Sequence, residues 1–251
     1  TATPIWDIPF PAVTICSQNQ VRPSDFDYSL YKTKIEQKLN LTQREREILQ
    51  YIVMSCEHNS TESDLKTFTS DTLDQTYYDV WGYCEEMISM GWMSDDIKEP
   101  CRLMERVLTP AGACYTFNSL PREQLFGPIH KFINYWVYEV KSNKTEEVVW
   151  SPDQGYKDKR KFDSRPWRTA GGSYGQDVSF QLFLNTEDFD ETCYFGGHGF
   201  QVTLHSPAEL PTQSHPTAYV PTDQLAMIKV VPEIKKTKEE LRKWDPKLRG
   251  C

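Results

Sequence analysis

Long apolar runs are missing from this chain of 251 residues. Clusters such as Ile48-Leu49 and Ile52-Val53-Met54 fall far short of the ~20 residues that cross a bilayer, so no membrane helix is expected within it. The charged and apolar lead of a signal peptide is missing too, the first residues being Thr1-Ala2-Thr3-Pro4. No Cys-x-x-Cys pair occurs, which removes the main support for a zinc ribbon or a thioredoxin-like centre. Positive charge is in deficit: Lys and Arg number 28 against 36 Asp and Glu, a net charge of −8. Nucleic acid is therefore not an expected partner. An acidic surface keeps a protein soluble and, in one that handles cations, raises their local concentration.

Catalytic signatures are scarce. There is no His-Glu-x-x-His helix and no P-loop. Gly171-Gly172-Ser173-Tyr174-Gly175 lacks the Gly-Lys-Ser/Thr ending of a phosphate cradle and reads as a flexible loop. His198, His205 and His215 are too widely spaced to suggest a metal site by themselves, and His205 falls on the expected polar face of its strand, as a solvated histidine. Asp95-Asp96 and Glu146-Glu147 read as exposed turn charges. The expectation is a protein with no cofactor and no metal that is not an enzyme.

What is plentiful is aromatic residues, at 13%, and proline, at sixteen residues. Core mass from Trp, Tyr and Phe joined by many turns suits a surface-rich extracellular domain. The seven cysteines are Cys16, Cys56, Cys84, Cys101, Cys114, Cys193 and Cys251. The odd count is expected to resolve with Cys251 pairing outside this segment, which leaves six residues and 15 connectivities. Asn40-Leu41-Thr42, Asn59-Ser60-Thr61 and Asn143-Lys144-Thr145 are glycosylation sequons in polar stretches. Disulfides and glycans together point outside the cell.

Along the chain, Pro9 and Pro11 precede the β-branched run Val13-Thr14-Ile15, a strand closed by Cys16. Residues 17–110 read as polar and helical. Ser24 with Asp27, and Thr42 with Glu45, resemble capping boxes. Tyr77, Trp81, Cys84 and Ile88 form a helical stripe within 71–90. Residues 111–232 read as strands: 114–118, 135–140, 178–184, 200–205 and 226–231, the last stopped by Pro232. Thr237 with Glu240 would cap a short helix. Helices inserted after an opening strand and followed by a mixed sheet make an α+β chain, with no internal repeat.

Four blocks carry a resemblance: Ile8-Pro9-Phe10-Pro11-Ala12-Val13-Thr14-Ile15-Cys16; Gly112-Ala113-Cys114-Tyr115-Thr116-Phe117-Asn118; Gly199-Phe200-Gln201-Val202-Thr203-Leu204-His205-Ser206-Pro207; and Lys247-Leu248-Arg249-Gly250-Cys251. In order and spacing they resemble the extracellular domain of the degenerin/epithelial sodium channel family. Trp150-Ser151-Pro152-Asp153-Gln154-Gly155-Tyr156 and the Cys-Tyr-Thr-Phe-Asn form are similar to its insect pickpocket branch. The resemblance implies a truncated hand-like ectodomain: a first palm strand in 1–20, a helical finger in 21–110, and β-ball and palm strands in 111–251, with the thumb and two membrane helices outside the segment. At Thr237 and Glu240 it implies an extended return segment instead of a short helix. It implies a Cys16–Cys114 bridge, a second bridge that ends on Cys101 and for which Cys84 is the nearest partner, and Cys251 as the first cysteine of the thumb, which leaves Cys56 and Cys193 for each other. It further implies a sodium-selective, amiloride-sensitive, voltage-independent channel subunit of the plasma membrane. Such a subunit forms homo- or heterotrimers and answers to a stimulus that the sequence does not name. The alternative is a secreted or surface binding module of the same fold without a pore.

Overall fold

The computed structural model describes residues 3–46, 48, 84–92, 95–109, 111–121, 124–125, 149–160, 165–169, 178–190, 197–212, 214–234, 239–245 and 248. Proline cannot donate to a sheet ladder. Accordingly, Pro9 and Pro11 stand ahead of β1 (Ala12–Ser17), which is buried over its first five residues. β1 is central to a five-stranded antiparallel sheet. Its neighbours are β4 (Met104–Thr109) and β5 (Gly112–Phe117) on one side, and β9 (Gly199–His205) and β10 (Thr217–Pro221) on the other, in the order β10-β9-β1-β5-β4.

Side chains alternate across a strand, so the register sorts this sheet into two faces. One carries Val13 and Ile15 from β1, Tyr115 and Phe117 from β5, and Phe200 and Val202 from β9. With Met104, Val21, Phe26, Tyr28, Ile88 and Met90 they form the main apolar core. The other face carries a row of polar residues, described with the site below, beside a small apolar cluster of Cys16, Cys114 and Val107. Burial pushes the Tyr115 hydroxyl up to about 12.

α1 (Tyr28–Glu36) is capped by Asp27, whose carboxylate accepts from the Leu30 N–H at 2.8 Å. Ser24, the expected cap, instead turns its hydroxyl and its N–H to the Asp188 carboxylate. The Thr42–Glu45 box forms: the Thr42 N–H donates to Glu45 Oε2 at 2.7 Å and the Glu45 N–H to Thr42 Oγ1 at 3.2 Å. Donation from the Thr42 N–H and from the Tyr31 and Thr42 hydroxyls, with the nearby Lys34 ammonium, holds the Glu45 carboxyl down at about 2.

The stretch 17–110 also carries strands. The short helix α2 (Cys84–Met87) gives way directly to β2 (Ile88–Trp92), so Ile88 and Met90 are strand residues rather than part of a helix through 90. β2 pairs with β3 (Asp95–Ile97) and with β8 (Val178–Leu182) in a three-stranded sheet. A small hairpin joins β6 (Trp150–Ser151) to β7 (Gly155–Tyr156). Residues 226–231 form no strand: Met227 is 83% and Val231 75% exposed, and no ladder partner lies beside them among the described residues. A 3-10 turn occupies Glu239–Lys243. The expected strand at 135–140, most of the stripe in 71–90, and Thr237 lie outside the described residues.

Candidate functional site

β1 is tied to its surroundings at both ends. At its far end Cys16 sits opposite Cys114 on β5, and the two are bridged with S–S at 2.06 Å and Cα–Cα at 4.3 Å. At its near end the aromatic residues Phe10, Trp92, Phe117 and Trp167 pack ring against ring, with centroids 5.1–5.6 Å apart. A second bridge, Cys84–Cys101, ties α2 to the turn ahead of β4.

Asn118 closes this near end. Its backbone is left-handed, with φ 63°, a conformation asparagine tolerates better than most residues. Its side-chain amide donates to the Phe10 carbonyl at 2.7 Å and to the Trp167 carbonyl at 3.3 Å, and its side-chain oxygen accepts from the Trp167 N–H at 2.5 Å. The Phe10 N–H also donates to the Trp167 carbonyl. One buried side chain therefore joins the approach to β1, the exit of β5 and the segment 165–169. In that segment Arg168 lies 4.0 Å over the Tyr156 ring and donates to the Trp6 and Lys159 carbonyls, while the Tyr156 hydroxyl donates to the Pro166 carbonyl. Burial raises the Tyr156 hydroxyl pKa well above its ordinary value.

On the polar face of the sheet, Glu105, Thr116, Thr14, Thr203 and Thr217 stand opposite one another in turn, one from each strand. Thr14 and Thr116 hydroxyls are 2.7 Å apart, and those of Thr203 and Thr217 3.1 Å. Glu105 ends the row, paired with Arg165 at 3.1 Å. Thr14 also meets His205 Nε2 at 2.8 Å. His205 is 5% exposed, not solvated as its place in the sequence pattern suggests. The chain after β9 folds back over this face, with the His215 ring centred 5.6 Å from that of His205 and the Ser206 carbonyl 3.0 Å from Nδ1.

Cys16, Cys114, Cys84 and Cys101 are thus brought together in their expected pairs. Cys56, Cys193 and Cys251, and the sequons at Asn59 and Asn143, lie outside the described residues. Asn40 is exposed, just before the Thr42–Glu45 box. Gly171–Gly175, which has Gly-x-Ser-x-Gly spacing, also lies outside them. Among the described residues no three His, Cys, Asp or Glu side chains converge to hold a metal ion, and no helix is long and apolar enough to cross a membrane. The roles of Asn118 and of the threonine row escape sequence reasoning, because their partners lie far off in the chain, 108 positions for Asn118 and Phe10 and 102 for Thr14 and Thr116.

The arrangement is a central strand pinned at both ends, with a polar row linking it to its neighbours. The amiloride-sensitive sodium channel family profile matches residues 1–251. Pickpocket protein 28 of Drosophila melanogaster is 26% identical over 251 residues, covering 98% of this chain. The chain spans 38% of the length of that relative.

Proposed function

The chain belongs to the amiloride-sensitive sodium channel family, and we propose that residues 1–251 are the extracellular gating part of a sodium channel subunit. On this reading the whole protein sits in the plasma membrane with two spanning helices outside this segment. It assembles with like or sibling subunits as a trimer and passes sodium, independent of voltage, through a pore that amiloride blocks. Residues 1–20 and 111–251 form palm and β-ball, 21–110 the finger, and the thumb begins at Cys251. Cys56 pairs with Cys193, and Asn40, Asn59 and Asn143 carry glycans.

The observation that carries the reading is β1: a buried central strand, fixed to β5 by Cys16–Cys114 and approached through Phe10 and Asn118. A strand held in this way moves only with its sheet, which suits it to pass a displacement toward a membrane helix. A stimulus acts on such a device only by binding its open and closed arrangements with different affinity.

The test is whole-cell recording from the full-length protein, alone and with sibling subunits. A sodium current blocked by amiloride is expected, with gating altered or lost in a surface-expressed Cys16→Ser, Cys114→Ser double variant. Normal gating in that variant refutes the coupling role. Secretion of the wild-type protein into the medium, with no current, leaves a binding module without a pore.

A further inference from the structure

His205 is a buried titratable group that the channel reading does not use. Its Nδ1 lies 3.0 Å from the Ser206 carbonyl, which can only accept, so Nδ1 carries the proton of the neutral ring. Nε2 is then an acceptor, and the Thr14 hydroxyl, 2.8 Å away, donates to it. With its own proton committed, Thr14 Oγ1 accepts from Thr116 Oγ1 at 2.7 Å. The result is a one-way chain from Thr116 on β5, through Thr14 on β1, to His205 on β9.

A second proton on the ring converts Nε2 from acceptor to donor. Nε2–H and the Thr14 hydroxyl proton then face each other, and the chain must reverse along its whole length or break. The titratable groups facing the ring are on the 206–215 loop. The His215 ring is centred 5.6 Å away, and Glu209 Oε2 lies 3.4 Å from His215 Nε2. β1 and β5 present uncharged Thr14 and Thr116, and β10 presents Thr217. Glu105, at the far end of the row, is already paired with Arg165. No carboxylate among these groups hydrogen-bonds the imidazole side chain to favour its charged form.

We propose that His205 is an acid-sensitive latch of the five-stranded sheet: its neutral ring locks β5, β1 and β9 through Thr116 and Thr14, and its protonation undoes that lock. Burial pushes the imidazole from 6.5 down to about 4, the His215 ring pushes in the same direction, and Glu209 and the Ser206 carbonyl oppose. A folded-state value below the unfolded one means that the fold prefers the neutral ring. The contribution is fully present above pH 6.5 and is lost as pH falls from there through about 4. Below that range the folding equilibrium is expected to have shifted toward the unfolded state by roughly 300-fold.

The experiment is the melting temperature of the purified full-length protein from pH 7.5 to 4.5, for wild type, His205→Gln and His215→Gln. The wild type and His215→Gln are expected to lose stability between pH 6.5 and 4.5, and His205→Gln to lose markedly less. A wild type with no such loss, or a folded His205→Gln with the wild-type loss, overturns the proposal. Should His205→Gln not fold, hydrogen–deuterium exchange at the imidazole carbon, read by mass spectrometry, gives the His205 titration in the wild type. A midpoint below 6 is expected, and one at 6 or above overturns the proposal.

Discussion

Single residues in this chain act as joints. Asn118 makes three hydrogen bonds to two other segments while its backbone is left-handed. Asn118→Ala deletes all three bonds, leaves the Phe10 carbonyl and the Trp167 N–H without this partner, and puts a less tolerant residue at φ 63°. A loss of about 2–4 kcal/mol is expected, read by urea denaturation, with Asn118→Gly recovering only the backbone part. A loss below about 0.5 kcal/mol, the range of an ordinary surface change, contradicts the joint. Gly199 is a joint of another kind. At φ 154° its Cα approaches β10 so closely that an added Cβ would run into the Val220 carbonyl oxygen. Both residues lie in the sequence blocks that carry the family resemblance, yet their roles are not legible there. A motif shows that a position is particular, but the partners of Asn118 come from segments 49 to 108 positions away. His205 shows the limit from the other side: alternation predicts a solvent face, and the 206–215 loop, which brings His215 over it, removes that face.

At the scale of elements, local signals work where local forces decide. The proline-led β1, the strands β5, β8 and β9, and the Thr42–Glu45 box are all legible, because dihedral restriction, period-two alternation and capping act within a few residues. β2 is not, since Ile88 fits both a helical stripe through Cys84 and the alternation Ile88, Met90, Trp92. The tertiary pairing with β8 decides between them. Residues 226–231 have strand propensity but no neighbour to pair with among the described residues. The two bridges differ in the span they close, 98 and 17 residues. The chain-entropy account assigns about 4.7 kcal/mol to the longer and about 3 kcal/mol to the shorter. Removing Cys16–Cys114 is therefore expected to lower the melting temperature by roughly 9–19 °C, and removing Cys84–Cys101 by roughly 6–12 °C. The two Cys→Ser pairs, melted side by side, check the order. An equal or reversed order shows that strain or residual structure in the unfolded chain outweighs loop length.

For the whole molecule, the sequence carries the α+β class and the family resemblance, because four short blocks in order are specific even where the intervening stretches are not. Where a mixed sheet is expected, every ladder among the described residues is antiparallel; that, and the polar row that crosses five strands, become visible only through register. The account treats this segment as the outside part of a protein anchored on both sides of it. The direct measurement is the topology of the full-length protein on intact cells, with an epitope tag at each terminus and an antibody against residues 1–251. Labelling of residues 1–251 on unpermeabilised cells, with both tags reachable only after permeabilisation, is the predicted result. A tag exposed on intact cells, or the protein released into the medium, would contradict the account.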